Sequence, residues 1–196
     1  MITVRVPATS ANIGPGFDSM GVALTLYNYV KAEETGSGLQ IDITDDSSKF
    51  LAKDEKNLVY RSMKAVFDKV GYKPKGIRLE LTNNIMVTRG LGSSSAGIIG
   101  GLLAGNALSG RKLSQEQLLD IANKIEGHPD NVTPALLGGL TVSVPKGGHV
   151  SFVKAELKND LTFAALVPNF FLQTKKSRSL LPKFVPHRDA VYNEAR

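Results

Sequence analysis

The chain has 196 residues, carries no cysteine and has a formal net charge of +6, from 24 Lys and Arg against 18 Asp and Glu. That length allows one good core and the start of a second domain. The missing cysteine excludes a disulfide framework, a thiolate metal site and a Cys nucleophile. Hydrophobic residues make up 42%, which argues for a packed core rather than disorder. No run of about 18 apolar residues occurs, so no membrane span or membrane partner is expected. The start, Met1 to Pro7, lacks the basic flank and long apolar stretch of a signal peptide, so a cytoplasmic location is expected. The basic residues are scattered, and the densest cluster, Lys175-Lys176-Ser177-Arg178, is short and not interleaved with aromatics. Such a surface could draw in a small polyanion or bind nucleic acid, a plain solvated basic surface is commoner than either, and nucleic acid is not an expected partner.

In chain order, Thr3 to Val6 alternates as a strand that Pro7 ends. Ala8 to Asp18 is dense in small residues, Gly and Pro, and reads as a structured loop. Val22 to Glu33 is a long β-rich stretch, and Leu39 to Ile43 alternates as another strand. Residues 44–56 read as a loop. Leu58, Met63, Val66, Phe67 and Val70 form a helical stripe that Gly71 is placed to stop. Ile77, Leu79 and Leu81 alternate with Arg78 and Glu80 in a half-buried strand. Ala96 to Leu108 is an apolar helix whose Gly100-Gly101 and Ala104-Gly105 leave room for close packing. Ser114 and Gln117 form a capping box ahead of a helix that ends near Glu126-Gly127. Pro129 to Leu137 reads as a short helix closed by Gly138-Gly139. Leu140 to Val144, Val150 to Val153 and Leu161 to Val167 read as strands, Ser179 to Leu181 as helical, and His187 to Arg196 as the start of a helix. This order predicts an α+β fold with helices packed on a mostly antiparallel sheet. A terminal helix this short is marginal alone: either it docks on the body, or the chain stops before a second domain is complete.

Two segments carry chemistry. Arg89-Gly90-Leu91-Gly92-Ser93-Ser94-Ser95-Ala96-Gly97 opens a helix. The first N–H groups of a helix are unpaired and partly positive, glycine lets a phosphate approach the backbone, and serine hydroxyls can donate to phosphate or ligate magnesium. A Walker A loop would need Lys before Ser93, where Gly92 stands, and a dinucleotide fingerprint would need Gly at Ser95. A plain glycine-rich helix cap fits this segment alone equally well. Glu126-Gly127-His128-Pro129-Asp130-Asn131 then packs two carboxylates, an imidazole and an amide around a predicted turn. Glu126 and a hydroxyl such as Ser94 would suit Mg²⁺. A solvated helix end and an Asp130 cap are the bland alternatives. His128, His149 and His187 are too scattered to suggest zinc.

Taken together, these segments resemble the GHMP kinases, the superfamily of galactokinase, homoserine kinase and mevalonate kinase. Gly90-Leu91-Gly92-Ser93-Ser94 matches the phosphate loop of that superfamily. Pro7 to Asp18, Glu126 to Val132 and Thr174 to Arg178 resemble its homoserine kinase branch. There are two departures: Met86 stands where the family usually has Pro, and the loop reads Ser93-Ser94-Ser95 where Ser-Ser-Ala is usual.

The resemblance implies an N-terminal domain like ribosomal protein S5 domain 2 over residues 1–160. It also implies the beginning of a ferredoxin-like C-terminal domain over 161–196, which the family continues for about a hundred residues. The implied reaction is transfer of the ATP γ-phosphoryl group to the side-chain hydroxyl of L-homoserine. Another GHMP acceptor, or nucleotide binding without turnover, is the alternative, and a homodimer is left open. By matching position, Asn12, Asp18, Asn131 and Arg178 are expected at the substrate. Arg89, Gly90, Leu91, Gly92, Ser93, Ser94 and Ser95 are expected around the phosphates, Asn57 near the base, and Ser94 and Glu126 on Mg²⁺. Asn131 stands where relatives such as mevalonate kinase are thought to carry an aspartate base, so attack without a dedicated protein base is implied. Asp130 and His128 are further candidate proton acceptors.

Overall fold

The computed structural model describes residues 1–157, 161–167 and 178–195. Strands β1 (Ile2–Ala11), β2 (Met20–Thr35), β3 (Gly38–Ile43), β4 (Gly76–Thr82), β5 (Leu140–Lys146) and β6 (His149–Ala155) form one sheet. Its order is β3-β4-β2-β5-β6, with β1 also on β2. All pairs are antiparallel except β3 with β4. The 16-residue β2 organises the sheet: its C-terminal half pairs with β4, and Met20 to Val22 pair with β5.

Helices α1 (Leu58–Val70), α2 (Ser93–Leu108), α3 (Gln115–Glu126) and α4 (Pro129–Leu137) follow the predicted segments. In β4, Ile77, Leu79 and Leu81 are buried against α1 residues Val59, Met63 and Phe67. Arg78 and Glu80 point the other way, where Glu80 pairs with Lys31 at 2.6 Å. The sheet therefore has one apolar face under the helices and one charged face, the usual antiparallel arrangement. Helix α2 is apolar all round because it runs through the middle, with Ile98, Ile99 and Leu102 fully buried. A Cβ on Gly101 would sit 2.2 Å from the Val59 carbonyl oxygen, so α1 and α2 touch backbone to backbone where the small residues occur.

Three boundaries differ from expectation. Pro7 does not end β1: past a register shift between Pro7 and Thr9 the strand pairs with β2 as far as Ala11, so the loop that follows is residues 12–19. Helix α2 begins at Ser93 rather than Ala96, so the serines of the glycine loop are its first turn. Residues 161–167 form no strand; the last sheet pairing among the described residues is β5 with β6, ending at Leu140 opposite Ala155. Apolar alternation there reflects side chains without a ladder to join: Leu161, Phe163 and Leu166 are all exposed. The predicted helical piece around Ser179 is present at Arg178–Ser179, and α5 (His187–Glu194) follows. Thr174 to Ser177 lie outside the described residues.

Candidate active site at the N-terminus of α2

Gly92 caps α2 in the left-handed region at φ 67°, and no side chain caps the helix. The first-turn amides of Ser93 to Ser95 are thus left for a ligand, and the helix dipole adds positive potential there. They open on a cavity of about 830 Å³ whose wall includes Lys56, Arg89, Arg178 and residues 90–95. Basic side chains and a helix start without a side-chain cap together suit an anion. Glycine is required at 92 for space as well as conformation: a Cβ there would fall 1.9 Å from Thr9 Oγ1.

The second half of the site comes from the α3–α4 turn. Gly127, left-handed at φ 95°, ends α3, and Pro129 at the first position of α4 restarts the helix at once. The sharp turn aims Glu126 back at α2. Ser94 Oγ donates to Glu126 Oε1 at 2.7 Å and Ser95 Oγ to the same oxygen at 3.1 Å. Asp130 is fully buried, and its Oδ1 accepts from the Asn131 backbone N–H at 2.9 Å and lies 2.5 Å from His128 Nδ1. That bond to Asp130 holds the His128 imidazole above its ordinary pKa, against the opposing effect of burial.

The third part is the loop of residues 12–19 between β1 and β2. Asn12 and Asp18 both take left-handed backbone, at φ 59° and 55°, a conformation that Asn and Asp tolerate better than most residues. Asn12 Oδ1 accepts the Asp18 N–H at 2.9 Å and so closes the loop on itself. Asp18 is gripped by both terminal nitrogens of Arg178, one at 2.7 Å to Oδ2 and the other to Oδ1. The Arg178 bond holds the Asp18 carboxyl below the usual carboxylate range although partial burial opposes it.

Residues 57–139 match the GHMP kinases N terminal domain family. All 196 residues are 51% identical to a homoserine kinase of Caldicellulosiruptor saccharolyticus, of which they cover 63%, and 50% identical to one of Petrotoga mobilis, covering 64%. The crystal structure of a homoserine kinase from Cytophaga hutchinsonii superposes with a TM-score of 0.85 at 31% identity, covering 99% of this chain and 64% of that one. This chain has the GHMP kinase fold. It spans just under two thirds of the length of the curated relatives it matches.

Within this fold, the sequence-predicted residues fall as follows. Arg89, Gly90, Leu91, Gly92, Ser93, Ser94, Ser95, Asn57, Glu126, Asn12, Asn131 and Arg178 all line the one cavity. Asp18 joins it through Arg178. Asn57 is buried, with Oδ1 accepting from the Val59 N–H at 2.9 Å and Nδ2 donating to the Ala52 carbonyl at 2.7 Å. Its amide is therefore committed to capping α1 and holding the 50–52 segment, which forms the adjacent wall. Sequence reasoning missed Thr9 and Lys56. A threonine in a small-residue loop and a lysine before a helix cap carry no pattern that marks them. Ser94 Oγ and the Glu126 carboxylate are adjacent hard oxygens, the donor set that magnesium prefers, so the residues present fit that ion. Among the described helices none is long and apolar enough to cross a membrane.

Proposed function

We propose that this chain forms the larger part of a homoserine kinase, which passes the ATP γ-phosphoryl group to the side-chain hydroxyl of L-homoserine in the cytoplasm. The single observation that carries the reading is one cavity that unites the uncapped start of α2, the Ser94–Glu126 oxygen pair and the polar set Asn12, Asn131 and Arg178. The relatives named homoserine kinase, at 50–51% identity over every residue of this chain, support the choice of acceptor.

In this reading, the amides of residues 91–95 receive the phosphates, with Lys56 and Arg89 adding charge, and the 50–52 segment held by Asn57 flanks the base. Ser94 and Glu126 would hold Mg²⁺, which supplies neutralisation of phosphate charge when bound. An α-amino acid carries a carboxylate and an ammonium, and Arg178 and Asp18 are the complementary pair, already facing one another. A zwitterion entering between them exchanges one bidentate contact for two charge-assisted ones. Asn131 sets the acceptor hydroxyl. An amide cannot take up a proton, so the residues contribute by positioning and charge, which phosphoryl transfer chiefly requires.

Residues 1–160 are read as the N-terminal domain and 161–196 as the beginning of the next. In support, Leu166, Leu180 and Phe184 are 98%, 79% and 90% exposed, which a finished core would not leave. A nucleotide-binding chain without turnover is the alternative outcome of the test. A coupled ADP-release assay with and without L-homoserine, mevalonate and a hexose decides. Homoserine-dependent ADP is expected; ADP formed only with another alcohol, or none with any, rejects the assignment.

A further inference from the structure

Thr9 belongs to β1, yet it touches both halves of the site. Its backbone N–H donates to the Leu91 carbonyl at 3.1 Å, inside the glycine loop. Its hydroxyl donates to Asn131 Oδ1 at 2.8 Å, across 122 residues of sequence. It is completely buried, and its Oγ1 occupies the space in which a Gly92 side chain would begin. The pairing of β1 with β2 shifts register between Pro7 and Thr9. Irregularities of this kind re-aim a side chain, and here the result is a hydroxyl aimed at the α2–α4 junction.

The orientation of the Asn131 amide follows from its neighbours. A primary amide has an oxygen that accepts and a nitrogen with two protons to donate. One side of this amide faces Asp130 Oδ1 at 3.3 Å, an acceptor. The nitrogen must be on that side, because an amide oxygen there would confront a carboxylate oxygen. The amide oxygen then faces Thr9, which has a proton to give. Thr9 and Asp130 thus fix the amide from both sides, and one Nδ2 proton goes to Asp130. Asn131 lines the cavity, so the amide has a donor to offer to an acceptor hydroxyl.

We propose that Thr9 is a positioning residue that locks the Asn131 amide with its N–H₂ toward the acceptor hydroxyl and couples that setting to the phosphate loop. The kinetic part of this inference rests on the homoserine kinase reading; the amide orientation does not. Without the Thr9 hydroxyl the amide loses one of its two keys and is free to turn. A side chain at Gly92 is sterically barred, so that position cannot supply a substitute hydroxyl.

Thr9→Ser and Thr9→Ala differ from each other by the hydroxyl alone, so their comparison isolates it from the loss of the methyl group. Two readouts apply, both on the full chain. In the ADP-release assay, kcat in the alanine variant falls about tenfold or more below the serine variant, as for loss of a single aligned donor, with KM for ATP unchanged. In ¹⁵N NMR without substrate, the Asn131 side-chain amide, assigned by its disappearance in Asn131→Ala, keeps its shift in Thr9→Ser. In Thr9→Ala it moves and its protons exchange faster with solvent. An unmoved Asn131 amide in a folded Thr9→Ala overturns the inference whatever the kinetics. Absence of homoserine-dependent turnover in the unsubstituted chain, with the amide still responding to Thr9→Ala, would reject the reaction and keep the positioning contact. If Thr9→Ala does not fold, the double variant with Asn131→Ala decides. Recovery of folding supports the contact, because no amide oxygen is then left without its Thr9 partner; continued failure assigns Thr9 to packing and overturns the inference.

Discussion

Replacing Gly92 by alanine puts a methyl carbon 1.9 Å from Thr9 Oγ1 and 3.3 Å from Asn131 Oδ1. Gly90, two residues earlier, provides the control: its φ of 73° is nearly the same as the 67° at Gly92, but nothing lies within 4 Å of a Cβ built there. Left-handed backbone costs an alanine about 1–2 kcal/mol. Loss of glycine's freedom in the unfolded chain returns about 0.4–1 kcal/mol. Gly90→Ala should therefore destabilise by roughly 0–1.6 kcal/mol. At Gly92 the same strain applies, and Thr9 must move although it is fully buried. Overpacking of that kind costs about 1–3 kcal/mol, and the broken Thr9–Asn131 hydrogen bond about 1 kcal/mol more. Gly92→Ala should then cost roughly 2–5 kcal/mol in total. Urea unfolding followed by far-ultraviolet circular dichroism measures both, provided the slopes agree. Equal losses in the two variants would show that Gly92 is conserving only a backbone angle, and the stitched junction of β1, α2 and α4 would have no energetic content.

Three further outcomes follow from the site. Glu126→Gln keeps an acceptor for the Ser94 and Ser95 hydroxyls but removes the charge, so Mg²⁺-dependent kcat should fall roughly hundredfold or more; a normal rate in a magnesium titration rejects the metal role. Arg178→Ala removes a charge-assisted partner, and KM for homoserine should rise about tenfold to hundredfold, while KM for ATP stays constant; an unchanged homoserine KM takes Arg178 out of the substrate site. The third concerns pH. The Asp130 bond raises the His128 pKa in the folded state, so its contribution to stability is complete below the unfolded value of about 6.5 and disappears as pH rises through the raised folded value. Urea titrations from pH 5.5 to 9 should show that alkaline decline in the parent chain and a flatter profile in His128→Gln; identical profiles contradict the pairing.

Much of the architecture could be read from local pattern, because local chemistry decided it. Ser114 accepts from the Gln117 N–H and Gln117 reaches back to the Ser114 N–H, as the four-residue signature implies. Gly71 and Gly127 stop α1 and α3 in left-handed backbone where a helical stripe ran out. The alternation of Ile77, Leu79 and Leu81 gives β4 its buried face. What escaped was decided at long range. The start of α2 moved to Ser93 because Gly92 turns the chain directly into the helix, and the glycine loop is thereby the helix terminus itself. Leu161 to Val167 has the alternation of a strand but no neighbour to pair with among the described residues, and pattern alone cannot supply one. The contacts of Thr9 with Asn131 and of Asp18 with Arg178 span 122 and 160 residues, and neither leaves a trace in local spacing. Of the four residues that the resemblance put at the substrate, Asn12, Asn131 and Arg178 line one cavity, and Asp18 reaches it through Arg178.

The most direct test is a crystal structure of the chain with a non-hydrolysable ATP analogue and L-homoserine. The γ-phosphate should rest on the amides of Leu91 to Ser95, with the homoserine hydroxyl beside Asn131 at about 3–3.5 Å from the phosphorus. Nucleotide and amino acid bound at separate surfaces, or a homoserine hydroxyl turned away from Asn131, would contradict the account.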